Sequence, residues 1–144
     1  MSSKLIIGVD GESSDNKAIE FASKLSNQIG DCELVVVYVI EWSPFSFQTN
    51  EENAQRHQRR EEETTLATDR IVTPVVEKLK AAGINARGIV RHGNVADALN
   101  LIAKEENADQ IIVRRTSDAS IKTRIFGSSV ANLVMESSIP VTVI

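Results

Sequence analysis

One cysteine, three prolines, one tryptophan, one tyrosine and two histidines among 144 residues leave little material for several kinds of chemistry. The lone thiol, Cys32, cannot close an intrachain disulfide, so the fold needs no oxidising compartment. A structural zinc site wants four Cys/His ligands at short spacings, and the chain does not carry them. A Ser-His-Asp device would have to recruit His57 or His92. His57 stands in a polar stretch without a nucleophile signature, and His92 precedes Gly93 at a strand end, where a turn histidine is the commoner reading. No run approaches the ~18 apolar residues of a membrane span. The opening run, Leu5–Val9, stops at Asp10, short of the roughly 7–15 residues of a signal-peptide core. Basic excess is missing too: 16 basic against 20 acidic residues give a net charge of -4, which argues against a nucleic-acid-covering face. The expectation is a soluble cytoplasmic protein with no nucleic-acid partner, no metal and no membrane span.

What is present is ordinary for a globular chain: 42% hydrophobic and 25% charged residues, enough for one domain and too few for two. Five short apolar runs stand out: Leu5–Val9, Leu34–Ile40, Ile89–Val90 with its flanks, Ile111–Val113 and Val141–Ile144. The first, second and fourth are nearly continuous, which predicts strands covered on both faces, as in a parallel sheet. Stripes of helical period lie between them: Ala18, Ala22, Leu25 and Ile29; Ala67, Ile71, Val75 and Leu79; Val95, Leu99 and Ile102; Val130, Leu133 and Val134. The order is β-α-β-α-β-α-β-α-β, which favours right-handed crossovers into a parallel sheet. Residues 42–53, with Pro44, Phe45 and Phe47, read as a loop, and Pro74 should kink its stripe or start a new helix after Thr73. The charge run from Arg56 to Glu63 reads as a solvated helix face, with Arg59 and Glu63 four apart and worth ~0.3–0.5 kcal/mol as a pair.

Two features carry functional content. Asp10-Gly11-Glu12-Ser13-Ser14-Asp15 follows the first strand directly, where open α/β sheets bind ligands. The same residues serve equally as a turn and a helix N-cap at Ser14 or Asp15. The second feature runs from Arg114 and Arg115 through Ser117 to Gly127, Ser128 and Ser129. It carries four basic residues and one acid on an acidic chain. Gly-Ser-Ser opening a helix would offer free N–H groups and a dipole to an anion.

The strand Leu5-Ile6-Ile7-Gly8-Val9-Asp10-Gly11, the Val36-Val37-Tyr38-Val39 strand, the Gly93 turn, Gly127-Ser128-Ser129-Val130 and Ile139-Pro140-Val141-Thr142-Val143-Ile144 together resemble the universal stress protein family, over residues 1–144 as one domain. The resemblance implies a five-stranded parallel sheet of order 3-2-1-4-5 with helices on both faces, which sets Asp10 beside the loop that starts at Arg114. It also implies adenine and ribose contacts at Asp10 and the backbone of Val39. In the ATP-binding branch the loop after the fourth strand reads Gly-x-x-Gly-x9-Gly-Ser/Thr. Here positions 114 and 117 hold Arg114 and Ser117, and only Gly127-Ser128 survives. Glycine lets backbone N–H groups approach phosphate closely, and arginine adds bulk at that point. Arg114 would either fill the phosphate site itself or, with Arg115, hold phosphate through its guanidinium. The loss of both glycines favours the first.

The reading is therefore a regulatory or protective stress-response binding protein without its own chemistry, needing no cofactor and acting on an unidentified partner. The alternative is an ATP- or AMP-binding member with little or no hydrolysis. A phosphoacceptor receiver is poorly supported, since Arg91-His92 and Arg114 stand where its acid and lysine belong. A pyrophosphatase-type loop is also disfavoured, since Asp10-Gly11-Glu12-Ser13-Ser14-Asp15 lacks the required Ser-Gly-Gly. The last strand, Val141, Thr142, Val143 and Ile144, is short, apolar and at an edge, and edges of that kind invite pairing. Family members pair antiparallel through it, which implies a two-fold homodimer.

Overall fold

The computed structural model describes residues 2–11, 15–41, 50–115 and 123–144. Within them, β1 (Ser3–Val9), β2 (Cys32–Glu41), β3 (Asn85–Gly93), β4 (Gln110–Val113) and β5 (Val141–Val143) form one sheet of order β3-β2-β1-β4-β5. Every neighbouring pair is parallel. Parallel neighbours need crossovers, and the helices supply them: α1 (Asp15–Ile29), α2 (Asn50–Ala67), α3 (Thr73–Ala81), α4 (Val95–Glu105) and α5 (Thr123–Glu136). The expected strand order and fold class are the observed ones.

The continuous apolar runs are explained by two cores, one on each face. Leu5, Ile7, Val9, Leu34 and Val36 meet Ala18 and Ala22 of α1 and Val76 and Leu79 of α3. Ile6, Val35, Val37, Ile111 and Val113 point the other way, onto Leu99, Ile102 and Leu133 of α4 and α5. Leu5, Ile6, Ile7 and Leu34 are wholly buried, each side chain contributing about 1.5–3 kcal/mol of transfer free energy.

Three expectations shift. Ile29 is 41% exposed, because the inward place in the last turn of α1 goes to buried Ser26. Val134 is 51% exposed, because Leu133 is the centre of the stripe and Val134 lies about 100° round the helix from it. Residues 50–53 belong to α2 and not to a loop; the acids at Asn50-Glu51-Glu52 are what a helix start favours. The rest of that segment, 42–49, lies outside the described residues. The charge run is a solvated face where its side chains are described: Gln58, Arg59, Glu61 and Glu62 are exposed. Glu63, expected to pair with Arg59, lies 3.5 Å from His92 Nε2 on β3.

Pro74 does start a helix, at the first turn of α3, and a π-helical segment, Thr68–Val72, joins α2 to it. Proline offers no N–H to the carbonyl four residues back, so the preceding turn widens. Val72 of that wide turn packs on β3 at Gly88, where any Cβ would overlap Val72 Cγ1. At the opposite end of the sheet from the strands' carboxyl ends, Lys4, Glu33, Arg87 and Glu106 form an ionic chain. Lys4 Nζ lies 3.3 Å from Glu106 Oε2, Arg87 Nε lies 3.1 Å from Glu33 Oε1, and Arg87 Nη2 also meets Glu106. The Arg87 hydrogen bond holds the Glu106 carboxyl below its ordinary range, with burial opposing and Lys4 assisting.

Two outcomes follow. Gly88→Ala should cost about 1–3 kcal/mol by overpacking, and Val72→Ala in the same chain should recover part of it, as read by urea denaturation. Glu106→Gln should cost about 0.5–1 kcal/mol at pH 7. Because the folded Glu106 is the more acidic, its contribution is complete above the unfolded carboxylate pKa. It fades as pH falls through the lower folded value, so denaturation curves of variant and wild type should converge in acid.

A crevice closed by an arginine and an aspartate

The sheet changes winding direction between β1 and β4, and the carboxyl ends of β1, β2 and β4 splay around a crevice of about 370 Å³. Its floor and walls are apolar: Val37 and Val39 of β2, Val113 of β4, Val95 and Leu99 of α4, Val130 of α5. Gly8 keeps the floor open. A Cβ there would stand 3.2 Å from Val113 Cγ1 and 3.3 Å from Leu99 Cδ1. The chain then turns through Gly11 at φ +88°, a conformation glycine adopts without strain, with Ile71 packed behind it.

Charge enters at the rim. Asp10 follows β1, Arg114 follows β4, and the guanidinium Nη2 of Arg114 makes an ion pair with Asp10 Oδ2. The Arg114 side chain is only 9% exposed and that of Asp10 41%. Nη1 of Arg114 also donates to the carbonyl of Arg115, 3.3 Å away. The arginine thus lies inward across the crevice mouth. Glu41 ends β2 on the same rim, exposed. Tyr38 beside it has its phenol pushed up, by burial first and then by the charges of Asp10 and Glu41.

The structure brings Asp10, Val39, Arg114 and Ser129 to one crevice, as the sequence suggested. Arg115 is elsewhere: its side chain is exposed, and its N–H donates to the Ile144 carbonyl at 2.9 Å. Ser117 lies outside the described residues, and of Gly127 and Ser128 only the backbone, within α5, is described. The expectation that Gly127-Ser128-Ser129 opens the helix is corrected. The helix begins four residues earlier, at Thr123, so the Ser129 N–H is spent inside it. Val141, Thr142, Val143 and Ile144 are all half-buried at the sheet edge. Sequence reading missed Gly8, Tyr38 and Glu41. The signal for Glu41 was present, since residues 37, 39 and 41 share one face of a strand.

Among the described residues no group of three His, Cys, Asp or Glu side chains is gathered to hold a metal ion. Nor is any of their helices long and apolar enough to cross a membrane.

Solved structures share the fold. The hypothetical protein MJ0577, the subject of a structure-based assignment of biochemical function, is 19% identical with a TM-score of 0.80, covering 100% of this chain and 96% of its own. The universal stress protein UspA from Lactobacillus plantarum is 19% identical at TM-score 0.77, covering 99% and 97%. A universal stress protein in complex with cAMP is 21% identical at TM-score 0.63, covering 99% and 96%. No curated protein matches the chain. The universal stress protein family model, however, matches residues 1–144. With the strand order and the switch-point crevice already in place, that match settles the kinship: the chain belongs to the universal stress protein family.

Proposed function

We propose that this protein is a regulatory or protective binding protein of the stress response that performs no chemistry of its own, and that its crevice no longer cradles a triphosphate. The observation that carries this reading is the inward Arg114, nine-tenths buried and paired with Asp10 across the crevice mouth. The guanidinium is engaged by the Asp10 carboxylate where a ligand phosphate would otherwise meet it, and it occupies the ground where glycine backbone would approach phosphate. The solved relative in complex with cAMP favours the other reading, a nucleotide-binding member using Arg114 or Arg115 on phosphate. Calorimetry with ATP, ADP and AMP separates them. We expect wild type to stay silent toward ATP and the Arg114→Gly, Ser117→Gly variant to bind it. Binding by wild type that weakens in Arg114→Ala would instead make the arginine a phosphate ligand and sink the blocked-site reading.

We further propose a homodimer through β5. The N–H of Ile144 bonds the Val113 carbonyl and the Pro140 carbonyl receives the Ile111 N–H. Alternation along a parallel strand then turns the backbone groups of Val141 and Val143 toward the open edge. Proline at 143 would delete an outward N–H and leave the β4 ladder whole. In sedimentation, wild type should run as a dimer and Val143→Pro as a folded monomer; a dimeric Val143→Pro would place the interface elsewhere.

A further inference from the structure

His92 is half-buried on β3, and its ring nitrogen Nε2 is sealed from solvent without a hydrogen-bond partner among the described residues. A polar atom hidden in that way is costly unless something answers it. The group that faces it is the Glu63 carboxylate of α2, 3.5 Å away, close enough for attraction but long for a hydrogen bond. The imidazole is 17% exposed and the carboxylate 54%, so the carboxylate is the end with room to move. Other charges near the pair are engaged or turned away. Half-buried Arg60, one turn earlier on α2, has its own partner. Asp69 and Arg70 of the π-helical turn and Glu77, Lys78 and Lys80 of α3 are exposed. On β2, Ile40 stands opposite His92. Tyr38 lies one step back on that face, its phenol kept neutral because burial and the nearby acids push it up. Arg91 reaches to the other side of the sheet, 3.2 Å from Glu105 of α4.

Little else holds α2 down. Of its described side chains only Ala67 is buried, Arg60 and Thr64 are half-buried, and the others are exposed. Thr64, Thr65 and Thr68 return their hydroxyls to carbonyls four residues back, at 2.7, 3.0 and 2.7 Å. That pattern bends and weakens a helix. The π-helical turn Thr68–Val72 then interrupts the ladder, and such interruptions serve as hinges. A lever, its hinge and its latch thus lie in one stretch of chain.

We infer that His92 and Glu63 form a proton-operated clasp, which holds α2 on the edge strand β3 in acid and releases it as pH rises. An imidazole changes charge between about pH 5 and 8. Protonated, Nε2–H donates to the Glu63 carboxylate in a charge-assisted bond, which answers the sealed nitrogen and docks the helix. Deprotonated, the ring loses that charge, and Ala67 is left as the buried anchor among the described side chains of α2. The docked state binds the extra proton. Its advantage is therefore complete below the imidazole range and fades above it.

Hydrogen exchange of the whole chain at about pH 5.5 and 8, read by mass spectrometry and corrected for intrinsic rates, follows the docking of α2. In wild type, the amides of residues 58–66 should be about two- to fivefold better protected at the lower pH, with those of β1 unchanged. Glu63→Gln, at an exposed position, and His92→Gln should both lose the dependence and hold the weaker protection throughout. His57→Gln, which removes the chain's other histidine, should keep it. Equal protection of α2 in wild type at both pH values overturns the clasp, and so does a dependence that survives Glu63→Gln. A dependence shared by the β1 amides would be a change in global stability, and one lost in His57→Gln would place the titrating group on α2. Either of those results overturns the clasp as well.

Discussion

Everything in this fold depends on β1 being buried on both faces. A strand with apolar side chains pointing both ways can be satisfied only by helices above and below, and Leu5, Ile6 and Ile7 meet that demand with full burial. Parallel pairing on both of its edges follows, because each neighbour must be reached by a crossover. β2 and β3 then lie to one side, β4 and β5 to the other. The crevice is a by-product of that winding and lies where the crossovers diverge.

The rim is a different kind of construction from the core. Core positions are filled by whatever packs, whereas Asp10 and Arg114 come from two strands 104 residues apart in sequence and meet as a charged pair. Such a pair in a partly covered place trades desolvation against attraction and fixes geometry more surely than it adds stability. It leaves the apolar walls intact and changes only which charges an incoming molecule meets. A family fold can in this way keep its cavity and alter its ligand through a few rim residues.

Legibility in the sequence tracked burial. β1, β2 and β4 were readable because two-sided burial writes continuous apolar runs. β3 was reduced to Ile89–Val90 because it is an edge strand whose Arg87, Arg91 and His92 are half-exposed. Asp10 and Arg114 were found from strand-end position and from the missing glycines. Glu41 was missed because an acid closing an apolar strand looks like ordinary strand punctuation, and only the cavity shows that its face matters. Gly127-Ser128-Ser129 misled for a related reason. Small polar residues signal a helix start locally, but the chain was already helical from Thr123.

The wide turn at Thr68–Val72 makes chain length itself an angular setting. Each residue of an α-helix advances the side chains by about 100°. The extra residue taken up by the π turn therefore fixes the direction in which α2 presents its polar face relative to α3. A one-residue deletion there would tighten the turn to ordinary helix and rotate all of α2 against the sheet. For this segment, residue count carries information that residue identity does not.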